Sequence, residues 1–584
     1  MRYLGPFAFI TSAVAAITLA VHGFQQRDGS VLSTSFYLAL QLFTFQGGDV
    51  DGIVPLSLEI ARWLAPATTL GGIYAAAYTY FGHWWGRIRL ALFIRDHIIV
   101  CGAGQKGIAL VRDLIQGKPA RPIVIIERHA LPEREELQRA GVVILQGEAG
   151  TADLFKVSQL SRAAALVCLT GDDRTNIGIA LAATACIPES RSSRPVEIHV
   201  HVGVVERRHI LQRNQILDLQ EDTRHSIRLF NCFVNLARRT WEIHPLEWAP
   251  VCGLCEEVHL VVGEMKAMEK AMIVQAGYIG HFRDGKRVTI HLISTRAKLD
   301  AAHLLKDYPG FQSCAKLEVI PIDTKEDFID GVSAAATTIK SGSLFTVVLL
   351  SGNAQADLTE ALILGERFRS LNLEVYLRVL LDAPARDTVR LMVEANAALR
   401  TWIHFLPEMD QACGMEAVFH ESLDKVARLI HETWKKGTEE QIRDAESRGD
   451  ATTAARHRSK ETYREWEALT EEQKDVNRLA ADHVSIKIRA MGLDPNHSKE
   501  VVTAWAQMDV ATLDQLSRME HERWAAPYRM AGWKLGERDD KKRTHPNLIE
   551  YDALDQPTKQ YDADQVMKIP RYLKAFISSP ELTH

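Results

Sequence analysis

The chain has 584 residues, of which 46% are hydrophobic and 24% charged, with a formal net charge of −5. At roughly 150 residues per domain this length excludes a single core and asks for three or four. The average composition is that of an ordinary soluble protein, yet residues 1–94 carry nearly all of the long apolar runs and everything after Arg95 reads as water-soluble. Eight cysteines lie between Cys101 and Cys413 without a disulfide-framework spacing, which suits a reducing cytosol. The single CxxC, Cys252 to Cys255, has no second pair and reads as a loop entering a strand. Neither a metal nor a nucleic-acid partner is expected.

Gly5 to Phe24 contains no charge, and His22 is its only strongly polar side chain. About twenty such residues span a bilayer. A cleaved signal peptide is the alternative, for which the run is long, since such apolar regions cover about 7–15 residues. A second span is expected from about Leu56 to Phe81, opening with Glu59 and Arg62 and containing Pro66, Gly71 and Gly72 as a natural bend point. Arg2 flanks the first span, and Arg87, Arg89 and Arg95 follow the second. The positive-inside rule then places both termini in the cytoplasm of a multi-pass cell-membrane protein.

Between the spans, an amphipathic stretch from Ser33 to Phe43 leads into Thr44, Phe45, Gln46, Gly47, Gly48 and Asp49. A helix and a glycine-rich strand between two membrane helices resemble the pore loop of two-helix potassium channels, whose filter reads Thr-Val-Gly-Tyr-Gly-Asp. Thr44, Gly48 and Asp49 match, whereas Phe45, Gln46 and Gly47 depart. The resemblance implies a cation pathway lined by backbone carbonyls, for which glycine permits the dihedrals. Gln46 stands where the first filter glycine belongs, so potassium selectivity does not carry over. A simple extracytoplasmic loop with a re-entrant helix is the alternative.

His97 to Cys101 is a β-branched run that enters Gly102-Ala103-Gly104-Gln105-Lys106-Gly107, a helix from Ile108 to Ile115 follows, and the strand Pro122 to Ile126 ends on Glu127. This is the dinucleotide fingerprint in its required setting. Gly102 makes the turn, Gly104 admits a pyrophosphate to the helix N-terminus, Gly107 permits close helix–strand packing, and Glu127 accepts from a ribose. Gly147, Glu148, Ala149 and Gly150 follow a third strand, with Thr151 next. The fourth strand, Ala165 to Thr170, leads into Gly171, Asp172, Asp173 and Asn176.

The pattern over residues 95–245 resembles the N-lobe of the regulator-of-potassium-conductance family, the Trk-type domains. That family's usual Gly-Asp-Ala-Thr reads Gly147-Glu148-Ala149-Gly150 here, with the threonine one place late. The resemblance implies NAD(H) or an adenine nucleotide (ATP or ADP) held by Gly102, Gly104, Gln105, Lys106, Gly107, Glu127, Arg128, Gly147, Glu148, Ala149, Thr170 and Asp172, within a cytosolic ring. Dehydrogenases share the fingerprint, but no acid or base signature for a substrate beside a nicotinamide accompanies it, so no enzyme activity is expected. An intact fold with an empty site is the remaining alternative.

Glu257 to Glu264 begins another strand–turn–helix unit, and Arg287 to Ser294, Leu344 to Ser351 and Leu373 to Leu381 supply further strands. Residues 250–410 thus read as a second, degenerate copy. It keeps Gly263, lacks the other two glycines and has Ser294 in place of the acid, so it is expected to pack rather than bind. The resemblance to channels with this tandem arrangement implies that two such domains in each of four chains build an eight-membered ring, so a homotetramer is the expected assembly.

Residues 415–480 read as a charged helical connector, flexible or exposed over 435–465. A repeat brackets it: Leu423 to Trp434 recurs as Leu513 to Trp524, with Leu, Asp, Arg, His, Glu and Trp in register. The His-Glu-x-Trp core is not a zinc motif, because Lys435 and Ala525 stand where the second histidine ligand would be. Only the second copy continues into Gly532, Trp533, Lys534, Arg538, Asp539, Lys541, Lys542, His545, Pro546, Leu548 and Tyr551. This run, in a domain spanning 481–584, resembles the RyR repeat of ryanodine receptors. Trp533 and Tyr551 offer π-faces, and Arg523, Lys534, Arg538, Lys541 and Lys542 offer cations, with Asp539 and His545 beside them. An adenine wants the first and phosphates the second, so a nucleotide-derived messenger is the implied ligand. Trp524 is assigned to the core. The competing reading is a core of tryptophans with solvated lysines.

The expected fold is therefore a membrane α-helical part, followed by α/β Rossmann-type domains with parallel sheets and a small mostly α RyR-like domain. The expected function is a ligand-gated cation channel subunit of the potassium-channel kind, suited by its architecture to stress or antiviral defence. A membrane-tethered nucleotide sensor without a pore and a membrane-bound NAD-dependent oxidoreductase are the alternatives.

Overall fold

The computed structural model describes residues 4–46, 54–117, 121–189, 194–204, 224–249, 253–384 and 387–577, with side chains from 9 to 74 and from 88 to 573 within those ranges. The chain divides into two units, residues 1–95 with 157–159, and the remainder.

The first unit is helical, with helices Leu4–Asp28, Leu32–Gln41 and Leu56–Leu92. The outer two run antiparallel: Gly23 lies against Leu58, Gly72 against Phe9, and the Ser12 and Thr68 hydroxyls are 2.8 Å apart. Small residues at such crossings let backbones approach closely. The third helix is unbroken through Pro66, so the expected bend there does not interrupt it. The short helix continues as a 3-10 turn to Thr44, and Phe45 stands in the left-handed region with φ 63°. Gly47, Gly48 and Asp49 lie outside the described residues.

Among the described residues no helix is long and apolar enough to cross a membrane. Both expected spans include residues whose side chains lie outside that description, 5–8 in the first and 75–81 in the second. Ile10, Val14, Tyr37, Trp63, Ile73 and Tyr74 nevertheless stand exposed on this unit.

The second unit opens with a six-stranded sheet of β1 (Ile98–Cys101), β2 (Ile123–Glu127), β3 (Val143–Gln146), β4 (Ala165–Cys168), β5 (Val196–His201) and β6 (His225–Phe230). Its order is β3-β2-β1-β4-β5-β6 and every pairing is parallel. β1 and β4 are buried along their whole length, as continuous apolar strands covered on both faces must be. A small hairpin of β7 (Trp248–Ala249) and β8 (Gly253–Leu254) leads to the second sheet. There β9 (Val258–Val262), β10 (Thr289–Ser294), β11 (Lys316–Pro321), β12 (Leu344–Leu349), β13 (Tyr376–Leu381) and β14 (Ile403–Phe405) repeat the arrangement as β11-β10-β9-β12-β13-β14. Both sheets have the doubly wound order that places a ligand crevice beyond the ends of the two central strands.

The C-terminal helices are no separate bead. One apolar core runs from Trp241 and Leu260 through Met272 and Phe311 to Trp466, Trp505, Met530 and Tyr572. Gly310 is placed so that an added Cβ would overlap the Arg529 carbonyl, so the loop before β11 docks backbone to backbone on the helix Val510–Met530. The segment 435–465 is helical to Ser447 and again over Ala451–Arg458, and Ile442, Ala445, Ala454 and Tyr463 close it into a small cluster of its own.

One pairing was not anticipated from the sequence. Cys232 and Cys413 form a disulfide across 181 residues, with Cα atoms 5.4 Å apart. The short helix Met409–Cys413, beyond the second sheet, returns to the helix Cys232–Ile243 of the first, where Asn235 donates to the Ala412 carbonyl at 3.2 Å. Such a pairing leaves no spacing signature in the sequence. Cys101, Cys168, Cys186 and Cys314 are free thiols, and Cys252 lies outside the described residues.

Candidate nucleotide-binding site

The glycine turn leaves β1 at the crevice between β1 and β4. Gly102 has φ +97°, and a Cβ there would come within 2.9 Å of the Leu169 carbonyl and the Thr170 backbone. Gly107 faces back onto the turn, where a Cβ would overlap the Gly102 carbonyl oxygen. Gly104 is different, because nothing lies within 4 Å of its Cβ position. Two of the glycines therefore serve the fold, and the third leaves open space at the start of the helix Gln105–Gln116. Gly104 is that helix's N-cap and supplies no side-chain cap, so the first-turn N–H groups face the opening.

Glu127 closes one side of the turn. Its carboxylate accepts from the Ala103 N–H at 2.7 Å, the Arg128 N–H at 2.8 Å and the His129 N–H at 3.0 Å. Burial pushes the group's pKa up, but the three backbone donors outweigh it and hold the carboxyl below its ordinary range. It stays ionised at neutral pH, with acceptor capacity left for a ribose hydroxyl. An open N-terminal cradle beside a fixed carboxylate fits the adenosine and pyrophosphate of an adenine nucleotide.

The far side is built from β4, β5 and β6. Asn176 holds the end of β4, accepting from the Thr170 N–H and hydroxyl at 2.7 Å each, and it donates to the His201 carbonyl at 3.0 Å. Asp172 caps the helix Asp173–Cys186 by accepting from the Thr175 N–H at 2.9 Å. Asp173 accepts from Gly203 and Val204 at 2.8 and 3.1 Å. The Lys106 ammonium lies 4.8 Å over the Phe233 ring, and burial lowers its pKa against the opposing pull of Asp173. Gln105, Arg128 and Glu148 are exposed at the rim. Gly147 and Gly150 take φ +155° and +96°, with Ala149 between them. Asp173, Gly203, Asn231 and Phe233 were not singled out as site residues from sequence. Asn231 carries a detectable signal, since it begins a helix after a strand and caps it by accepting from Phe233 and Val234.

In the second copy the corresponding turn is filled. Asp300, from the helix that follows β10, accepts from the Met265 N–H at 3.3 Å, and the Lys266 ammonium reaches the Leu350 carbonyl at 3.5 Å. Ser351 donates its N–H to Asp357 as Thr170 does to Asn176. The framework is kept while the opening is lost.

The RyR-like residues fall into two groups. Arg523 is buried and paired with Glu520, which also takes Lys487 at 2.7 Å. Tyr551 is buried between Arg518 and Lys559, whose charged groups lie 4.8 and 5.4 Å from its ring. Asp539 accepts from the Lys541 and Lys542 N–H groups at 2.9 and 3.0 Å. Asp539 and Tyr551 are thus engaged within the domain, whereas Arg523 keeps one buried guanidinium nitrogen, Nη1, with no hydrogen-bond partner among the described residues. Arg538, Lys541 and Lys542 stand exposed on the turn between β15 (Lys534–Leu535) and β16 (Thr544–His545). The Tyr528 ring lies 5.1–5.5 Å from those of Trp524, Trp533 and His545, and Trp524 meets His545 at 5.0 Å, so half-buried Trp524 joins an aromatic cluster whose centre, Tyr528, the sequence did not mark.

The repeat is geometric as well as sequential. His431 and His521 each place Nε2 2.9 Å from a carbonyl, of Arg464 and Ile549, and each stacks on its tryptophan at 5.9 and 5.7 Å. Arg428 and Lys474 flank Trp466 as Arg518 and Lys559 flank Tyr551.

Against known proteins, residues 98–216 match the TrkA-N domain profile and residues 499–578 the RyR domain profile. Among solved structures, the GsuK channel bound to NAD is 12% identical over 70% of this chain and 81% of its own, with TM-score 0.36. GsuK bound to ADP is 13% identical over 68% and 93%, with TM-score 0.34. The GsuK RCK domain is 11% identical over 55% and 75%, with TM-score 0.33. At scores this low the site geometry, not the likeness, decides function. The chain carries a TrkA-N domain in its first sheet and an RyR domain near its C-terminus.

Proposed function

We propose that the chain is a subunit of a ligand-gated cation channel in the cell membrane. An adenine nucleotide at the first sheet and a second signal at the RyR domain set the state of a pore formed by four copies of the N-terminal unit. The observation that carries this reading is the open Gly104 cradle beside the fixed Glu127 carboxylate, within a TrkA-N domain joined to a helical unit rich in exposed apolar side chains. Aromatic and β-branched side chains such as Trp63, Tyr74 and Ile73 need an apolar surround or a second copy to cover them. Phe45 at positive φ, directly after Thr44, is the kind of local backbone a carbonyl-lined constriction uses. The nucleotide is bound and not turned over, and gating follows from unequal affinity for the open and closed states. Both termini are cytoplasmic, and the opened pore would collapse ion gradients, a role suited to stress or antiviral defence.

Purified protein in liposomes tests this. Cation flux that depends on NAD(H), ADP or ATP is expected. Tight nucleotide binding without flux under any of them rejects the pore and favours a tethered sensor, and sustained hydride transfer to a small substrate favours an oxidoreductase. Topology has its own check: an external thiol reagent should label a cysteine placed at Gly29 and not one placed at Ser192.

A further inference from the structure

The RyR domain and the second Rossmann domain border an open cleft of about 350 Å³, with Pro309, Gly310 and Ser313 on one wall and Arg529, Trp533 and Lys534 on the other. Resting on the sensor role proposed above for the RyR domain, we propose that this joint is a mononucleotide site, with the base against Trp533 and the phosphate on Lys534.

The chemistry points one way. Trp533 is only partly buried and is held in place by a T-shaped contact with Tyr528, at 5.1 Å and 83°. A fixed indole beside a cleft is a stacking platform for any base. Lys534 is exposed, and its ammonium makes no hydrogen bond or ion pair among the described residues. Arg529 and Arg287 share the Glu522 carboxylate at 2.6 and 2.9 Å and Glu550 also acts on Arg529, so Lys534 is the cation left for a ligand. Arg543 donates to the Ala531 carbonyl at 3.0 Å and so offsets the negative end of the helix that stops there. A purely apolar ligand would leave Lys534 unanswered, and a bare phosphate would leave the indole unused. The volume lies near the lower end for small-molecule sites, which suits a mononucleotide better than a dinucleotide.

The position also suits a signal. The Pro309–Ser313 wall precedes β11, an edge strand of the second sheet, and Gly310 docks on the Arg529 carbonyl with no room for a Cβ. Cys314 donates to the Ala526 carbonyl at 3.6 Å and Arg287 to the Glu522 carboxylate at 2.9 Å. Both walls are therefore tied across the joint, and a ligand seated between them bears on their spacing.

The test uses full-length protein carrying Gly104→Val, which takes the first nucleotide site out of play, with AMP as the probe in equilibrium dialysis. One AMP per chain is expected, weakened about tenfold or more by Lys534→Glu and by Trp533→Ala. Lys534 is exposed, so its variant reports on the site even if Trp533→Ala fails to fold. No binding of AMP, GMP, CMP or UMP overturns the site, and so does AMP binding that Lys534→Glu leaves unchanged. Loss of binding in Lys541→Glu/Lys542→Glu, with Lys534→Glu normal, places the ligand on the exposed turn; it overturns this site and leaves the sensor role standing. The sensor role has a separate readout: liposome flux that responds to ligand equally in wild type and in all of these variants rejects it, whatever AMP does in the cleft.

Discussion

Replacing Gly104 by valine lowers adenine-nucleotide affinity by at least about 100-fold, or about 2.7 kcal/mol, and leaves the melting temperature close to that of the wild type. The reason is the contrast within one turn. At Gly104 a side chain meets nothing of the protein and projects into the space where a phosphate reaches the helix N-terminus. At Gly107 it meets the Gly102 carbonyl. Gly107→Val therefore destabilises by about 3 kcal/mol or more through forced backbone shift and loses binding only as a consequence. Titration calorimetry with NAD(H) and ADP, paired with thermal melts of detergent-purified protein, separates the two. Wild-type affinity in Gly104→Val would falsify the site. The Glu127 carboxyl adds a pH signature. Its pKa is held down in the folded protein, so its support is fully present above the ordinary carboxylate range, about pH 4.3, and is lost only as pH falls below it. Nucleotide affinity should be flat from pH 6 to 8 as far as this group governs it.

The first sheet was legible because its chemistry is local: strand, glycines, helix, strand and acid occupy thirty consecutive residues. The second copy was legible from its apolar strands, but β11 was not. Lys316 and Glu318 alternate along it at the exposed sheet edge, so it lacks the continuous apolar run of its neighbours. β14, three residues long, falls below any periodicity signal. The charged stretch 435–465 suggested an exposed connector because its apolar content is sparse, yet four residues suffice to close it. A longer repeat was present and readable. Trp466-Glu467-Ala468-Leu469 with Lys474 matches Tyr551-Asp552-Ala553-Leu554 with Lys559 in composition and spacing, and these residues build the equivalent cation–aromatic stacks. Sequence could not assign Asp539 and Tyr551 to the fold rather than to a ligand, since an acid that holds a turn and an aromatic packed between cations have the same residue types as ligand-binding ones.

Replacing Arg238 by methionine destabilises the protein by about 3–5 kcal/mol, the cost of removing one partner from a buried ion-pair network. Arg238, on the last helix of the first Rossmann domain, donates to Asp482 at 2.9 and 3.0 Å and to Asp424 at 2.8 Å. Asp424 also takes Arg478 at 2.7 Å, and Gln275 of the second domain donates to Asp482 at 2.8 Å. One guanidinium thus ties together the first domain, the second and the C-terminal helices. Burial pushes Asp424 up, but two guanidiniums outweigh it and bring its pKa down to about 2. Asp482 has one guanidinium only, and there burial wins and its pKa rises. The signs then differ with pH. Asp424 contributes about 2–3 kcal/mol in the wild type, fully present above about pH 4 and lost as pH falls toward 2. In Arg238→Met both carboxyls move upward, and a raised carboxyl binds its proton more tightly in the folded state. Acidification then favours that state, so the gap between variant and wild type narrows as pH drops. Denaturant unfolding at pH 7 and pH 4.5 measures this, and a gap that widens on acidification would reject the account. A variant that still folds should bind nucleotide at Gly104 and Glu127 normally yet show a weakened flux response, because the site is intact while the joint that carries its state to the other domains has lost its central cation.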